Sequence, residues 1–414
     1  MCFGSKPLEE AAMAGKNKKW SFGPGFLVTA AFIGPGTVTT CTLAGARFGT
    51  ALLFALVFAT VTTVILQEMT ARLSLGSGLD LAQALRELPS SSLTRGLLAV
   101  ITLAAITFGC AAYEAGNIIG GALGLEAITS LPHKIWVAFI SILAAAILAS
   151  GRYKVVEKIL IVLVFLMSLS FLTAFILARP DLSAISKGFI PSFPSGSLPL
   201  ILALIGTTVV PYNLFLHSAA VRQKWKGKEQ LGTARRDIVL SVTLGGLISM
   251  AIVLTSAAAF FGTNADIQNG IQMAGQLKPL FGNLSNILFG LGFFAAGLTS
   301  SLTAPYAAAF ASSGVLGWKG GIRSWKFRAV WAGVVAAGFC VSLFDLKPLA
   351  VILFAQVANG IILPIAVVFL LLVLNRRSRM GGLANSRLQN IVGGGIIAVV
   401  SFLGLWNILK LFLK

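Results

Sequence analysis

The sequence predicts an all-α polytopic membrane protein made of two five-span halves. Three observations carry this reading. The 414 residues are 57% hydrophobic and only 11% charged, where a soluble domain carries about 25% charged residues. The apolar residues gather into repeated stretches of about 18 or more, the length a helix needs to cross a bilayer, and no run of short alternating segments suggests a transmembrane barrel. Two of the stretches, "FIGPGTVTT" at 32–40 and "VVPYN" at 209–213, are interrupted in mid-run by helix breakers.

Residues 1–20 read as a polar cytoplasmic tail without the apolar core of a signal peptide, with Met13 a second candidate start. Eleven spans are then expected near 21–46, 51–74, 97–124, 134–150, 156–178, 199–221, 237–261, 284–313, 327–344, 347–372 and 390–412. With the N-terminus inside, roughly three-quarters of the 32 Lys and Arg residues fall on cytoplasmic segments, the bias that the positive-inside rule demands. That puts the C-terminus outside, and the plasma (inner) membrane of a prokaryote is the expected location. The net charge of +19 therefore reports topology, not a nucleic-acid partner. The basic run "RQKWKGKEQLGTARR" is read as topology and contact with anionic lipid.

The segments between spans are too short for an independent core. Cys2, Cys41, Cys110 and Cys340 are scattered, with no CxxC or Cys/His cluster, so neither a zinc site nor a disulfide framework is indicated. No P-loop, dinucleotide fingerprint or Ser/His/Asp set is present. The expectation is a protein that is not an enzyme, needs no cofactor, and exists as a monomer or weak homo-oligomer among membrane lipids.

The interruptions divide the chain. Pro35 sits between Gly34 and Gly36 in the first span, and Pro211 falls at the matching place in the sixth. Residues 21–178 form the first expected repeat and 199–372 the second, with 390–412 appended. Five spans per repeat force the second half to enter from the opposite side, which places both breaks near the midplane. Interrupted spans at corresponding positions of two halves point to an inverted-repeat transporter and its binding site. A proline removes a backbone donor, and the unpaired groups of unwound backbone are tolerated in a membrane only where protein or a water-filled cavity covers them.

The residues around the breaks carry a resemblance. "GPGFLVTAAFIGPGTVTTCTLAGARFG" resembles the first span of the Nramp family of divalent-metal transporters, and "VVPYNLFLHSA" resembles its sixth. "AYEAGNIIGGALGL" is similar to the third span and "AQVANGIILPIAVVFLL" to the tenth. The likeness runs over at least residues 21–372. It implies a LeuT-type 5+5 inverted repeat with broken helices 1 and 6, alternating access, and ion uptake that relatives usually couple to protons.

The chain departs from the family where the metal is held. The family's Asp falls on Gly34, its Asn on Thr37, its Met on Val210 and a His on Tyr212; of the third-span acidic pair, Glu114 remains and Asn117 replaces the other. His217 and Gln356 are kept. Without the thioether the site loses its preference for soft metals. Without the Asp it loses the anionic oxygen that a dehydrated dication needs.

Two readings stay open. In one, a cation that keeps its water, as Mg²⁺ does, with Mn²⁺ as the second choice, sits among Gly34, Gly36, Thr37, Asn117, Val210, Tyr212, Asn213 and Gln356, with Glu114 supplying charge through water. This resembles the Nramp-related magnesium transporters. In the other, helix N-termini at Gly34, Gly36 and Thr37 hold a small anion such as bicarbonate. A receptor or scaffold that moves nothing is a third class. His217 and Glu114 are the residues of a candidate proton path, although a buried neutral His bonded to a carbonyl explains His217 as well. Loss of the second acid at Asn117 predicts weak or absent proton coupling. Glu68 is placed to pair with Arg72 four residues on. Gln356 and Asn359 suit either a cavity lining or an interhelical amide bond.

Overall fold

The computed structural model describes residues 23–412 except 89–90, 130, 151–152, 178–181, 264–266, 320 and 345. The expected tail and Met13 lie outside the described residues. All regular structure among the described residues is helical. Besides the short helices Leu182–Gly188, Gly270–Ala274, Lys278–Phe281 and Arg377–Met380, the helices in chain order are α1 (Pro24–Phe32), α2 (Pro35–Phe48), α3 (Leu53–Ser77), the short α4 (Leu81–Arg86), and α5 (Ser92–Glu126), which contains a π turn at Ala104–Phe108. Then come α6 (His133–Ser150), α7 (Tyr153–Leu177), α8 (Leu198–Thr208), α9 (Pro211–Lys224), α10 (Leu231–Phe260) and α11 (Leu284–Leu316). The last three are α12 (Trp325–Ser342), α13 (Pro348–Leu374) and α14 (Arg387–Phe412).

Every expected span coincides with a helix or a broken pair to within a few residues. By length and apolarity, however, 8 helices among the described residues qualify as spans, or 9 with the bent pair α1–α2 counted as one, against the eleven expected. The two expected spans outside that count fall on α7 and α12. The chain is an integral membrane protein.

The helices are sorted by what they face. The α8–α9 pair and α11 are the most buried, whereas α6 and α14 turn most of their surface outward. Outward side chains such as Ile142, Phe354 and Phe402 are large and apolar, which is what a lipid solvent permits. The centre is assembled by backbone approach, the device that membrane helices use in place of a hydrophobic driving force. The most extensive pairing joins α5 to α11. Near one end of it, a Cβ on Gly124 would lie 2.5 Å from the Phe294 nitrogen and 2.6 Å from the Gly290 oxygen.

Charged residues fix the ends of the bundle. Asp237 on α10 accepts from the Gly25 N–H at 2.6 Å and so caps α1 from another element. Arg72 is buried near the end of α3; it pairs with Glu68 at 3.4 Å, as the spacing predicts, and also donates to Asn385 Oδ1 and Gln389 Oε1 at 2.9 Å each. Glu68 takes a second partner, Arg235, at 2.7 Å. At the opposite end, Gln276 from the α10–α11 connection is buried and donates to Thr42 Oγ1 at 3.0 Å, which closes the bundle over α2.

Gly124→Ala tests the pairing of α5 with α11. The new methyl meets backbone, which cannot rotate aside, so a loss of about 1–3 kcal/mol is expected. It is read as a lower thermal midpoint of the purified protein. An unchanged midpoint would show that α5 and α11 do not meet backbone to backbone.

Candidate ion site at the paired helix breaks

The two breaks follow the same path. After α1, Ile33 turns at φ −79°, ψ 63°, and Gly34 extends at φ −105°, ψ −175° into Pro35. After α8, Val209 turns at φ −95°, ψ 75°, and Val210 extends at φ −82°, ψ 121° into Pro211. Each proline occupies the first helical position, where its missing N–H has no helical partner to lose. The first break bends its span by 55°.

One hydroxyl clamps the breaks together. Thr37 Oγ1 donates to the Phe32 carbonyl across its own break and lies 2.8 Å from Thr207 Oγ1 beside the other. Behind this pair, α13 approaches so closely that a Cβ on Gly36 would lie 2.2 Å from Gln356 Nε2. Gln356 Nε2 donates to the Ile352 carbonyl at 3.2 Å, and its Oε1 has no hydrogen-bond partner within the protein. Tyr113 of α5 directs its hydroxyl at Thr207 and Gln356. Its ring meets that of Tyr212 edge-on, with centroids 5.6 Å apart. Tyr212 follows the second break and faces Thr303 of α11. Asn213 is buried, and neither of its amide atoms has a partner within the protein. Val210 is buried and apolar at the position of the family's Met.

Gly34, Gly36, Thr37, Val210, Tyr212, Asn213 and Gln356 thus gather around the breaks. Glu114 and Asn117 meet each other: Asn117 Nδ2 donates to Glu114 Oε2 at 3.3 Å. The carboxylate stands about 100° around α5 from Tyr113. It is directed to Ser301 of α11, with its methylenes against Gly338 of α12. It reaches the breaks at one remove. His217 lies on α9 past the second break, with Nδ1 2.8 Å from Thr70 Oγ1. Thr70 Oγ1 also lies 2.8 Å from the Gln67 carbonyl, and His217 Nε2 has no hydrogen-bond partner within the protein. The partner of this histidine is therefore a hydroxyl, not the carbonyl of the sequence reading. Asn359 is buried on α13, and its Nδ2 has no partner within the protein.

Sequence reasoning passed over Tyr113, Thr207, Ser300, Ser301 and Thr303. The signal for the last three was present as "TSSLT" at 299–303, a run of hydroxyls in the middle of an apolar span. Among the described residues no three His, Cys, Asp or Glu side chains are grouped to hold a bare metal ion.

Two adjoining cavities lie between one end of the bundle and Thr303. A cavity of about 480 Å³ opens beside Asp80, Gln83, Arg222, Lys226 and Trp318. It shares Ala219, Gln223 and Phe310 with a narrower space of about 100 Å³ that runs between α1, α9 and α11 as far as Thr303. At its mouth Arg222 pairs with Asp80 at 3.2 Å. Burial raises the Asp80 carboxyl above its usual range, against the opposing pull of the Gln83 N–H and Arg222.

The family model for natural resistance-associated macrophage protein-like chains matches residues 25–410. The chain belongs to the Nramp family. Its curated Nramp relatives include the divalent metal cation transporter MntH of Brucella suis, 29% identical over 94% of this chain and 88% of the relative. MntH of Deinococcus radiodurans is also 29% identical, over 94% of this chain and 89% of the relative. Among solved structures, a manganese transporter of Eremococcus coleocola superposes with a TM-score of 0.79 at 24% identity, covering 93% of this chain and 85% of that one. MhsT, solved with L-phenylalanine, gives 0.59 at 15% identity over 95% of this chain and 99% of that one. The fold is that of the LeuT-type transporters, and it is this Nramp chain's side chains that must decide its cargo.

Thr37→Val tests the clamp. It leaves the Phe32 carbonyl and the Thr207 hydroxyl buried without their partner, at a cost of about 1–3 kcal/mol. The thermal midpoint should fall, and Thr37→Ser should restore it. Equal midpoints for Thr37→Val and the parent would show that the hydroxyl does not join the breaks.

Proposed function

We propose that this Nramp-family chain is an alternating-access transporter of a divalent metal ion that keeps most of its water, Mg²⁺ by preference and Mn²⁺ second, with weak or no proton coupling. The observation that carries the reading is a set of buried, neutral oxygen and nitrogen atoms beside the paired breaks. The Asn213 amide, Gln356 Oε1 and the Tyr113 and Tyr212 hydroxyls are buried without a hydrogen-bond partner within the protein, and none is a carboxylate or a thioether.

A bare dication in such a place would lack compensation for its lost hydration. A hydrated one presents water to those same atoms, and hydrogen bonds through water cost little relative to direct ones. Mg²⁺ is the common dication that parts with its water least readily. Glu114 supplies charge from one remove, which suits a cargo held through water. The curated relatives are named as divalent metal cation transporters, which favours a cation over an anion. Two features favour weak proton coupling. Asn117 stands where a second acid would complete a pair, and His217 Nδ1 is tied to a hydroxyl rather than to a carboxylate.

Purified protein in liposomes, assayed for tracer uptake, tests the reading. Mg²⁺ should accumulate, with Mn²⁺ slower, and an inward proton gradient should not speed it. Bicarbonate flux without divalent flux would replace the cation by an anion, and no flux at all would make the fold a scaffold. In the same assay Glu114→Gln should abolish divalent uptake while the protein still elutes as a single folded species; undiminished uptake would remove Glu114 from the site.

Selectivity gives an independent check. Gly34→Asp with Val210→Met, made in a Ser300→Ala background to clear the space, should move preference toward Mn²⁺ or Cd²⁺. An unchanged ion profile would place the cargo elsewhere.

A further inference from the structure

We infer that the cavity of about 480 Å³ at one end of the bundle is a binding site for a phosphate group, held by Arg222 of α9 and Lys226 just after it, with Arg86 and Lys326 alongside. The inference is independent of the cargo reading and uses none of the residues at the breaks.

The first observation is that the walls come from separate parts of the chain. Asp80 and Gln83 belong to the start of α4, Arg222 and Lys226 to the end of α9, Gly314 to the end of α11, and Trp318 to the α11–α12 connection. These walls are held in place. The first turn of α4 is closed by a capping box in which the Gln83 N–H donates to Asp80 Oδ1 at 2.9 Å. The same helix lies against α11, where a Cβ on Gly314 would stand 2.5 Å from Ala82 Cβ.

The second observation is an imbalance of charge. Asp80 is the carboxylate among the described lining residues, and Arg222 already pairs with it at 3.2 Å and donates to Gln83 Oε1 at 2.6 Å. Lys226 lines the same cavity without an acidic partner among the described residues. Arg86 lies beside Trp318, because a Cβ on the preceding residue, Gly317, would stand 2.1 Å from its guanidinium carbon. Lys326 Nζ stands 5.7 Å from the centroid of the Trp318 ring. Neither has an acidic partner among the described residues. Lys226, Arg86 and Lys326 are therefore uncompensated around one concave space, and such a space concentrates anions.

The third observation concerns the kind of anion. The guanidinium fork matches phosphate oxygens, and an ammonium serves the same group as a point charge. Phe310, Trp318 and Ile322 give the cavity an apolar side as well, which suits a phosphate carried on an organic body. Basic pockets between membrane helices hold anionic lipid head groups, and a soluble phosphate compound presents the same chemistry. Occupancy would tie the end of α9 to α4 and to the α11–α12 connection. Because α9 starts at Pro211, directly after the second break, such a tie would hold that half-helix at its far end.

The test is equilibrium binding to the full-length protein, delipidated in neutral detergent without divalent ions. Radiolabelled ATP probes a soluble source, and phosphatidylglycerol in mixed micelles, against phosphatidylcholine, probes a lipid source. Saturable binding is expected in one arm, and the arm that binds identifies the source. Lys226→Gln with Arg86→Gln should weaken it about tenfold or more. Arg377→Gln with Arg387→Gln, two other exposed cations, should leave it unchanged. All four positions are exposed, so each pair is expected to fold. Absence of saturable binding in both arms would overturn the inference. So would parent-like binding by the Lys226/Arg86 variant, or an equal loss in the Arg377/Arg387 variant, which would assign the anion to the basic surface at large. None of these readouts depends on transport, so the site and the proposed cargo can fail separately.

Discussion

Everything at the centre of this protein depends on keeping unwound backbone at mid-membrane. A break in a spanning helix frees N–H and C=O groups where no lipid can pair with them. The chain meets this demand with its own hydroxyls and amides. Thr37 crosses its break to the Phe32 carbonyl and touches Thr207 at the second break. With one side chain serving both breaks, the halves cannot unwind independently. The matched torsions at Ile33–Gly34 and Val209–Val210 express the same constraint in the backbone.

That constraint explains the packing around it. The breaks need cover from several sides, so α5, α11 and α13 all have to come close. Gly36 admits the Gln356 side chain against α2, and the approach of α5 to α11 brings Tyr113, Ser300 and Thr303 to bear on the same region. The polar groups that cover the breaks are also those able to hold a solvated ion. In the proposed site, covering the backbone and binding the cargo fall to the same atoms. Removing a clamp residue such as Thr37 should therefore disturb both the fold and the cargo.

The parts of this arrangement legible in the sequence were the local ones. Apolar runs and Pro/Gly punctuation placed the helices to within a few residues, and "IGPGT" and "VVPYN" located the breaks, because a missing N–H acts on its own turn. The number of spans was less legible, since length and apolarity do not single out helices such as α12, whose first turns carry Lys326 and Arg328. Contacts between distant segments were not legible at all. Nothing local shows that Thr37 meets Thr207, or that Gly36 faces Gln356. The direction of Glu114 turns on helix rotation: a step of one residue along α5, from Tyr113 to Glu114, moves a side chain from the breaks to Ser301 and Gly338. Ser300 was hidden for a subtler reason. Hydroxyls in membrane helices ordinarily bond back to their own helix, as Thr299 and Thr303 do, and only the fold shows that Ser300 does not.

The missing charge at Gly34 is better understood with Ser300 in view. A side chain at 34 would begin with a Cβ only 2.6 Å from Ser300 Oγ, so a carboxylate added there has to displace the serine hydroxyl. The glycine and the serine form a pair, one removing an anionic oxygen and the other setting a neutral one across the gap. The substitution of Val210 for a thioether acts at the other break and in the same direction, away from ligands that grip a dehydrated soft metal. What remains is dipolar: carbonyls, amides and hydroxyls whose partial charges are fixed by the fold and do not titrate near neutral pH. A site of that kind cannot repay full dehydration of a dication. It can order the water around one. On this argument selectivity belongs to the set of side chains facing the two breaks, and reverting one position toward the family pattern shifts it only when the facing position is changed as well.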